Sequence, residues 1–524
     1  MMDNMNNRLK YILKCCFLFM LLAHGFRWFN TSFNHDSLIV FQDDGFIQLY
    51  LGRWLMPVWI LIRGKIASPL IIAALSIVFF SAAVILLTDV LGVKKKPHVA
   101  LLTAVLASCP VITCLFTSFI SSVDLHMLAF AFSMLSVFLM VRFRRGWIPG
   151  GVFLAMAMAL YQTYLEVALV VLVFWFIREA VRGTARDTLI KSAARACLYV
   201  FLGCLLYYAG WRLSLFLLGE KIANIPFQDD YNSITRLGDL SLTGVIPLLK
   251  DSLLSFFRYV IHPETLSNWI AGGLNVLMAI CAFIRIMMEP SSPRRRLFLS
   301  LAVISLPVLS NFVFILTGGV AHTLMVMSIV ILYAGCVMTL DLRQREPGGS
   351  RTFLDKVTSV VIIASLAVVS FNYTIFANQC HLKKALEEEA TLSTMTRLID
   401  RIEGVEGYIP GETKVALLGN LNETSVSQIR PGYEDDDFYR AWNRNRFSVS
   451  YPLTQPWYLS NVLAYPINLL DAGQCEKYSC DPEVAEMPSF PSPGCAKMIG
   501  DVLVFKLSDT EVLNPDESSK RPRK

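Results

Sequence analysis

The sequence predicts a polytopic α-helical membrane protein of about eleven transmembrane helices, followed by a C-terminal α+β domain. Three observations predict it. Apolar runs close to the ~20 residues that a bilayer crossing needs recur over roughly the first 380 positions. The loops between them carry Lys and Arg clusters on alternate sides. Charged residues make up 17% of the 524 and hydrophobic ones 54%, with a mean hydropathy of +0.51, whereas a soluble domain is about a quarter charged. The net charge of +6 sits mostly in short loops between spans. It therefore reads as a topology signal, and no nucleic-acid partner is expected.

Taken in order, Arg8, Lys10 and Lys14 precede the first apolar run. No small-residue cleavage site follows, so residues 11–29 read as an uncleaved span with a cytoplasmic N-terminus. The loop 30–65 is then external. It holds Asp43-Asp44-Gly45 and the stretch Gly52-Arg53-Trp54-Leu55-Met56-Pro57. That stretch is apolar and aromatic but too broken to span, so it reads as interfacial, with Trp54 and Trp59 at headgroup level.

Span 68–93 ends at Lys94-Lys95-Lys96, a cytoplasmic flag. Spans 99–116 and 123–141 follow, joined by a turn without Lys or Arg, and Arg142, Arg144 and Arg145 close the second. Basic clusters flank both ends of 147–177. A chain with both ends cytoplasmic must cross twice, which puts Tyr161-Gln162-Thr163-Tyr164 at a tight external turn between two short helices. Span 194–218 leads into a second external loop, 219–262. Span 265–288 returns to Arg294-Arg295-Arg296, spans 297–316 and 324–340 end near Arg343, Arg345 and Arg351, and span 357–376 exits for the last time.

Residues 1–380 thus form the transmembrane part, 381–510 an external soluble domain, and 511–524 a charged tail expected to be disordered. Leu382, Leu386, Leu392, Met395, Leu398 and Ile402 make a helical stripe, with Lys383, Lys384, Glu387, Glu388 and Arg397 expected on a solvated face. Segments 414–418 and 501–507 read as strands, and Pro488–Gly494 as a loop, because prolines neither continue a helix nor donate to a sheet. Cys380, Cys475, Cys480 and Cys495 could pair if this region is oxidised, and the sequence leaves the pairing open.

The layout resembles a GT-C class glycosyltransferase, and three stretches narrow the resemblance. Asp43-Asp44 with Gly52-Arg53-Trp54-Leu55 resembles the first-loop motif of the serotype-converting O-antigen glucosyltransferase family. Leu160-Tyr161-Gln162-Thr163-Tyr164-Leu165 resembles its Tyr-Gln turn. Phe371-Asn372-Tyr373, Asn378-Gln379, Leu382-Lys383-Lys384-Ala385, Pro488-Ser489-Phe490-Pro491 and Ile499-Gly500-Asp501 resemble its exit helix and C-terminal domain. The resemblance implies an undecaprenyl-phosphate glucose donor, an O-antigen acceptor on its lipid carrier, and catalysis on the periplasmic side of the bacterial inner membrane. It also implies a donor flippase and a donor-making synthase as functional partners. A lipid-linked donor agrees with the lack of a Gly-rich phosphate loop and of any cytoplasmic loop long enough for a nucleotide-binding domain.

Transfer of this kind needs a base for the acceptor hydroxyl, positive charge for the departing phosphate and alignment of both substrates. A single carboxylate suffices for direct displacement with inversion. Asp44 and Asp43 are the candidate bases, although Asp-Asp-Gly is also ordinary turn chemistry. Arg53 is the first candidate for the phosphate, because guanidinium grips phosphate oxygens bidentately; interfacial anchoring is its other reading. Arg258 and His262, which close the second external loop, are weaker ones, and His322 reads equally as a capping residue.

Tyr161, Gln162 and Tyr164 are candidate sugar contacts, with core packing the other reading for at least one of them. Glu166 joins them if it lies inside the membrane, where an ionisable group is costly and points to function; if the turn is longer, it is simply external. Asp229 and Asp230 repeat the Phe-Gln-Asp-Asp tetrapeptide in the second external loop and are reserve carboxylates or acceptor contacts. Asp89 and Asp124 lie near span ends, where hydration is expected. A divalent metal could sit beside Asp43 and Asp44, but a monophosphate donor does not require one, and no metal or cofactor is expected. Two other classes fit a polytopic chain: a transporter or flippase of a lipid-linked sugar, and an O-antigen polymerase or ligase.

Overall fold

The computed structural model describes residues 2–33, 37–38, 46–223, 242–261, 269–288, 292–319, 321–342, 352–421 and 457–509. The chain divides into two units, residues 1–29 with 43–381 and residues 30–42 with 382–524.

The first unit is helical. Its described elements are α1 (Met2–Phe29), a 3-10 turn at Phe46–Leu49, α2 (Met56–Arg63), α3 (Pro69–Leu91), α4 (Lys96–Ala107), α5 (Pro110–Ser118), α6 (Val123–Arg142), α7 (Trp147–Leu160), α8 (Tyr164–Val181) and α9 (Arg186–Ala223). After these come α10 (Leu242–Ile261), α11 (Trp269–Met287), α12 (Pro293–Leu309), α13 (Phe312–Leu316), α14 (Met327–Val330), α15 (Leu332–Asp341) and α16 (Phe353–Glu403). Helices α1, α3, α9, α11 and α16, and α6 with the 3-10 turn before it, are long and apolar enough to cross a membrane, and α4 with α5 makes a seventh candidate if that bent pair is one span. In lipid every backbone polar group must be satisfied within the segment, which a helix does.

The count on length and hydropathy among the described residues is therefore six or seven, against the eleven or so expected, and the reason is local. The run 99–116 is bent by 41° between α4 and α5. Pro110 stands in the first turn of α5 and lacks the N–H that would continue the ladder. The run 297–316 breaks at Ser310-Asn311, and 324–340 opens with a 3-10 turn before two short helices. Stretch 147–177 forms two helices separated by residues 161–163.

Close helix contacts use glycine. A Cβ on Gly151 in α7 would meet Leu202 of α9 at 3.0 Å, and one on Gly203 would meet Leu154 of α7 at 2.7 Å. Small residues at such crossings let backbones approach where lipid supplies no hydrophobic drive.

The last 22 residues of α16 belong to the second unit, and the run 357–376 and the Leu382–Ile402 stripe form one helix of 51 residues. Four strands follow, β1 (Lys414–Leu418), β2 (Asn468–Leu469), β3 (Ala496–Ile499) and β4 (Val502–Lys506), together with α17 (Ala472–Ser479) and α18 (Pro482–Glu486). Sheet order is β2-β1-β4-β3; β1 runs parallel to β2 and β4, and β3 antiparallel to β4.

Alternate residues point to opposite faces of the sheet. Val415, Leu503 and Phe505 pack with Met395, Leu398 and Ile402 of α16, whereas Ala416, Leu418, Val502 and Val504 pack with Cys475, Tyr478, Val484 and Met487. Helices thus cover both faces. This is a mostly parallel, layered α/β/α unit rather than the α+β arrangement expected, and it explains why β4 is buried at every position.

No disulfide joins the cysteines among the described residues. Cys475 and Cys495 belong to cores on opposite faces of the sheet. Lys383 and Lys384, expected on a solvated face, are buried; the Lys384 ammonium lies 3.3 Å from Glu387. A buried ammonium needs such a partner.

Candidate active site

Asp43, Asp44, Asp229, Asp230 and His262 lie outside the described residues. The remaining candidates fall into one main cluster and two separate positions.

The cluster forms where the first loop meets the α7–α8 turn. After the 3-10 turn at Phe46–Leu49 the chain reverses at Gly52, whose φ of +76° is a left-handed value that glycine adopts without a steric penalty. The Gly52 amide donates to the Leu49 carbonyl (3.0 Å) and the Arg53 amide to the Gln48 carbonyl (2.9 Å). The Leu55 amide then donates to the Ala159 carbonyl of α7 at 3.1 Å. Two indoles secure the loop to α9: Trp211 donates to the Leu49 carbonyl at 2.8 Å, and Trp54 to the Tyr207 carbonyl at 3.2 Å. Trp54 lies so close to Gly210 that a Cβ there would sit 2.7 Å from its ring. The stretch expected at the interface is thus a docked loop.

This docking puts the Arg53 guanidinium carbon 4.5 Å from the centre of the Tyr161 ring, a cation–π contact. Nη1 of Arg53 donates to Gln48 Oε1 at 2.8 Å, and its Nε is buried with no partner among the described residues. The Gln162 side chain donates to the Leu51 carbonyl and to the Tyr207 hydroxyl, the latter at 3.1 Å.

Behind Tyr161 stands His126 of α6, its ring 4.4 Å from that of Tyr161 and 6.0 Å from that of Tyr164. His126 Nδ1, Thr163 Oγ1 and the Tyr164 hydroxyl are all buried without a hydrogen-bond partner among the described residues. His126 carries no signal in the sequence. A single histidine in an apolar run gives no motif, and only the fold brings it to the turn.

Asp124, two residues before His126, was expected to be hydrated and is fully buried. It forms an ion pair with Arg63 of α2 at 2.9 Å, and Trp59 donates to its other oxygen at 2.8 Å. Arg63 also donates to the Ser121 carbonyl at 2.7 Å. Desolvated charges need such full pairing, so this pair fixes α2 against the start of α6. Asp89 keeps a half-exposed side chain, 3.9 Å from Arg8.

Glu166 is buried on α8 and turns away to another partner. The Ser328 hydroxyl lies 3.0 Å from its Oε2 and 2.6 Å from the Ser310 carbonyl, while its Oε1 has no hydrogen-bond partner among the described residues. Glu166 thus ties α8 to the breaks around Ser310 and Ser328. Arg258 is exposed in the last turn of α10. The His322 carbonyl accepts from the Met325 amide at 2.8 Å, opening the 3-10 turn there.

Several helices long and apolar enough to cross a membrane, with a docked loop that brings Arg53 against Tyr161, fit a membrane protein. A family model described as Glucosyl transferase GtrII matches residues 25–339, well over half of the 524. The chain belongs to the glucosyl transferase GtrII family. No curated protein and no solved structure matches the chain. The matched region contains the Asp43-Asp44 pair, Arg53, His126 and the whole α7–α8 turn, while the second unit from Leu382 onward lies beyond it.

Proposed function

We propose that the protein moves glucose from undecaprenyl-phosphate glucose to a sugar of the lipopolysaccharide O-antigen repeat, on the periplasmic side of the bacterial inner membrane. The acceptor hydroxyl oxygen attacks C1 of the glucose. The C1–O bond to phosphate breaks, its electron pair leaves with the phosphate, and the hydroxyl proton passes to Asp44 or Asp43. One carboxylate acting as base gives inversion at C1.

Arg53 supports this reading most directly. It follows the aspartate pair in the same short loop, and its Nε has no acceptor among the described residues. Stacking on Tyr161 and the bond to Gln48 hold the guanidinium in place. A pre-positioned guanidinium edge is what a phosphate taking up charge requires. Gln162, Tyr161 and Tyr164 lie beside it on the turn; Arg258, His262, Asp229 and Asp230 remain reserve contacts for the lipid phosphate or the acceptor. The donor is supplied by a synthase and turned across the membrane by a flippase.

The test uses cells that make both O-antigen and the lipid-linked donor. Expression of the chain adds glucose to the O-antigen, and Asp44→Asn or Asp43→Asn at equal expression abolishes it. Normal glucosylation by both variants removes the pair from the mechanism. Movement of a lipid-linked sugar without any transfer points instead to a flippase.

A further inference from the structure

We propose that His126 and Tyr164 form a pyranose-binding subsite beneath the α7–α8 turn, holding hydroxyl groups of the sugar whose transfer is proposed above; the assignment rests on that reading. Tyr164 is 1% exposed and His126 5%, yet Tyr164 Oη and His126 Nδ1 find no hydrogen-bond partner among the described residues. A buried polar atom left unpaired costs about 1–3 kcal/mol, so such atoms are uncommon and call for an explanation.

Here they coincide rather than scatter. The rings of His126, Tyr161 and Tyr164 form a triangle, with centres 4.4, 6.0 and 6.4 Å apart. Phe130, one turn further along α6, is 6.4 Å from the Tyr164 ring. The Ser133 hydroxyl donates to the Tyr164 carbonyl at 2.9 Å, which fixes the backbone and leaves the phenol uncommitted. A ring nitrogen and a phenol each exchange hydrogen bonds with hydroxyls in either direction, and aromatic faces suit the C–H faces of a pyranose. Half-buried Arg53 lies over the Tyr161 ring at the edge of this group. A donor glucose and an acceptor sugar present the same hydroxyl chemistry, so the experiment must tell them apart.

The full-length protein is assayed in detergent micelles with Tyr164→Phe and, separately, His126→Phe. The donor arm compares undecaprenyl-phosphate glucose with undecaprenyl-phosphate galactose. The acceptor arm compares an O-antigen oligosaccharide with singly deoxygenated versions. In the variants the preference for the native sugar falls about tenfold or more in one arm, as expected when a hydrogen-bonded hydroxyl loses its partner, and that arm names the sugar. Thermal melting of the sugar-free Tyr164→Phe protein stays level or rises, because the deleted hydroxyl bonds none of the described residues. The shift in melting temperature on adding the lipid-linked glucose or the oligosaccharide shrinks in the same arm.

Unchanged preference ratios and unchanged sugar-induced shifts in both variants overturn the subsite. So does a melting loss in Tyr164→Phe with both sugars slowed equally, which assigns the residues to packing. Wild-type protein that transfers no glucose from the lipid donor overturns the proposed function instead, and the melting shifts then decide the subsite by themselves.

Discussion

The Arg53 guanidinium carbon lies 4.5 Å over the Tyr161 ring, joining the loop after the aspartate pair to the turn between α7 and α8. The contact sets the direction of a cation that the apolar surroundings would otherwise disfavour. A cation–π contact away from water contributes roughly 0.5–2 kcal/mol. Tyr161→Leu should therefore raise the KM for lipid donor several-fold, while Tyr161→Phe stays near wild type. Arg53→Lys should lose activity more severely than either, since an ammonium cannot reproduce the planar fork. Steady-state kinetics of the four proteins check the order.

Asp124 and Arg63 form a fully buried pair. Removing one partner of such a pair costs ~3–5 kcal/mol, because the other charge stays behind, whereas replacing both with apolar groups costs far less. Asp124→Ala should cut the yield of folded protein in detergent sharply. Asp124→Leu combined with Arg63→Met should recover most of it, as read by monodisperse elution and melting temperature.

Glu166 bonds Ser328 rather than facing the Arg53 cluster. Glu166→Gln keeps a group able to bond Ser328 and should leave the KM for donor and acceptor within about twofold, with stability lowered by ~1 kcal/mol. A tenfold rise in either KM would make Glu166 a substrate contact.

In the second unit the Tyr458 phenol donates to Glu388 Oε1 at 2.8 Å, and the Phe33 amide donates to the other oxygen at 2.9 Å. Burial, and then the Glu388 charge, push the Tyr458 phenol above its usual value. The folded state therefore holds this proton more tightly than the unfolded chain. Its stabilising effect is intact below pH ~10 and declines as pH rises above that, because the unfolded phenol ionises first. Thermal unfolding of full-length protein between about pH 9 and 11.5 should show a loss that Tyr458→Phe reduces.

Much of this architecture is legible in the sequence, for physical reasons that differ along the chain. Basic clusters at both ends of 147–177 demand a reversal, and the helices do separate at Tyr161-Gln162-Thr163. The apolar runs at 414–418 and 501–507 become β1 and β4. The breaks at Ser310 and before Met327 escape notice, because hydropathy averages over a polar pair inside an apolar run. The burial of Asp124 and Lys384 escapes for a related reason: their partners Arg63 and Glu387 are recognisable only once the fold or helix face is known. Arg53 and Tyr161 are legible as separate motifs, and their contact is not, since it depends on Trp54 and Trp211 docking the loop on α9. His126 has no local signal whatever.

The most direct measurement is transfer of radiolabelled glucose by purified protein in vesicles, with undecaprenyl-phosphate glucose or UDP-glucose as donor and an O-antigen oligosaccharide as acceptor. The account predicts label in the oligosaccharide from the lipid donor alone, lost in Arg53→Ala and in Asp44→Asn combined with Asp43→Asn. Transfer from UDP-glucose, or full activity in those variants, would contradict it.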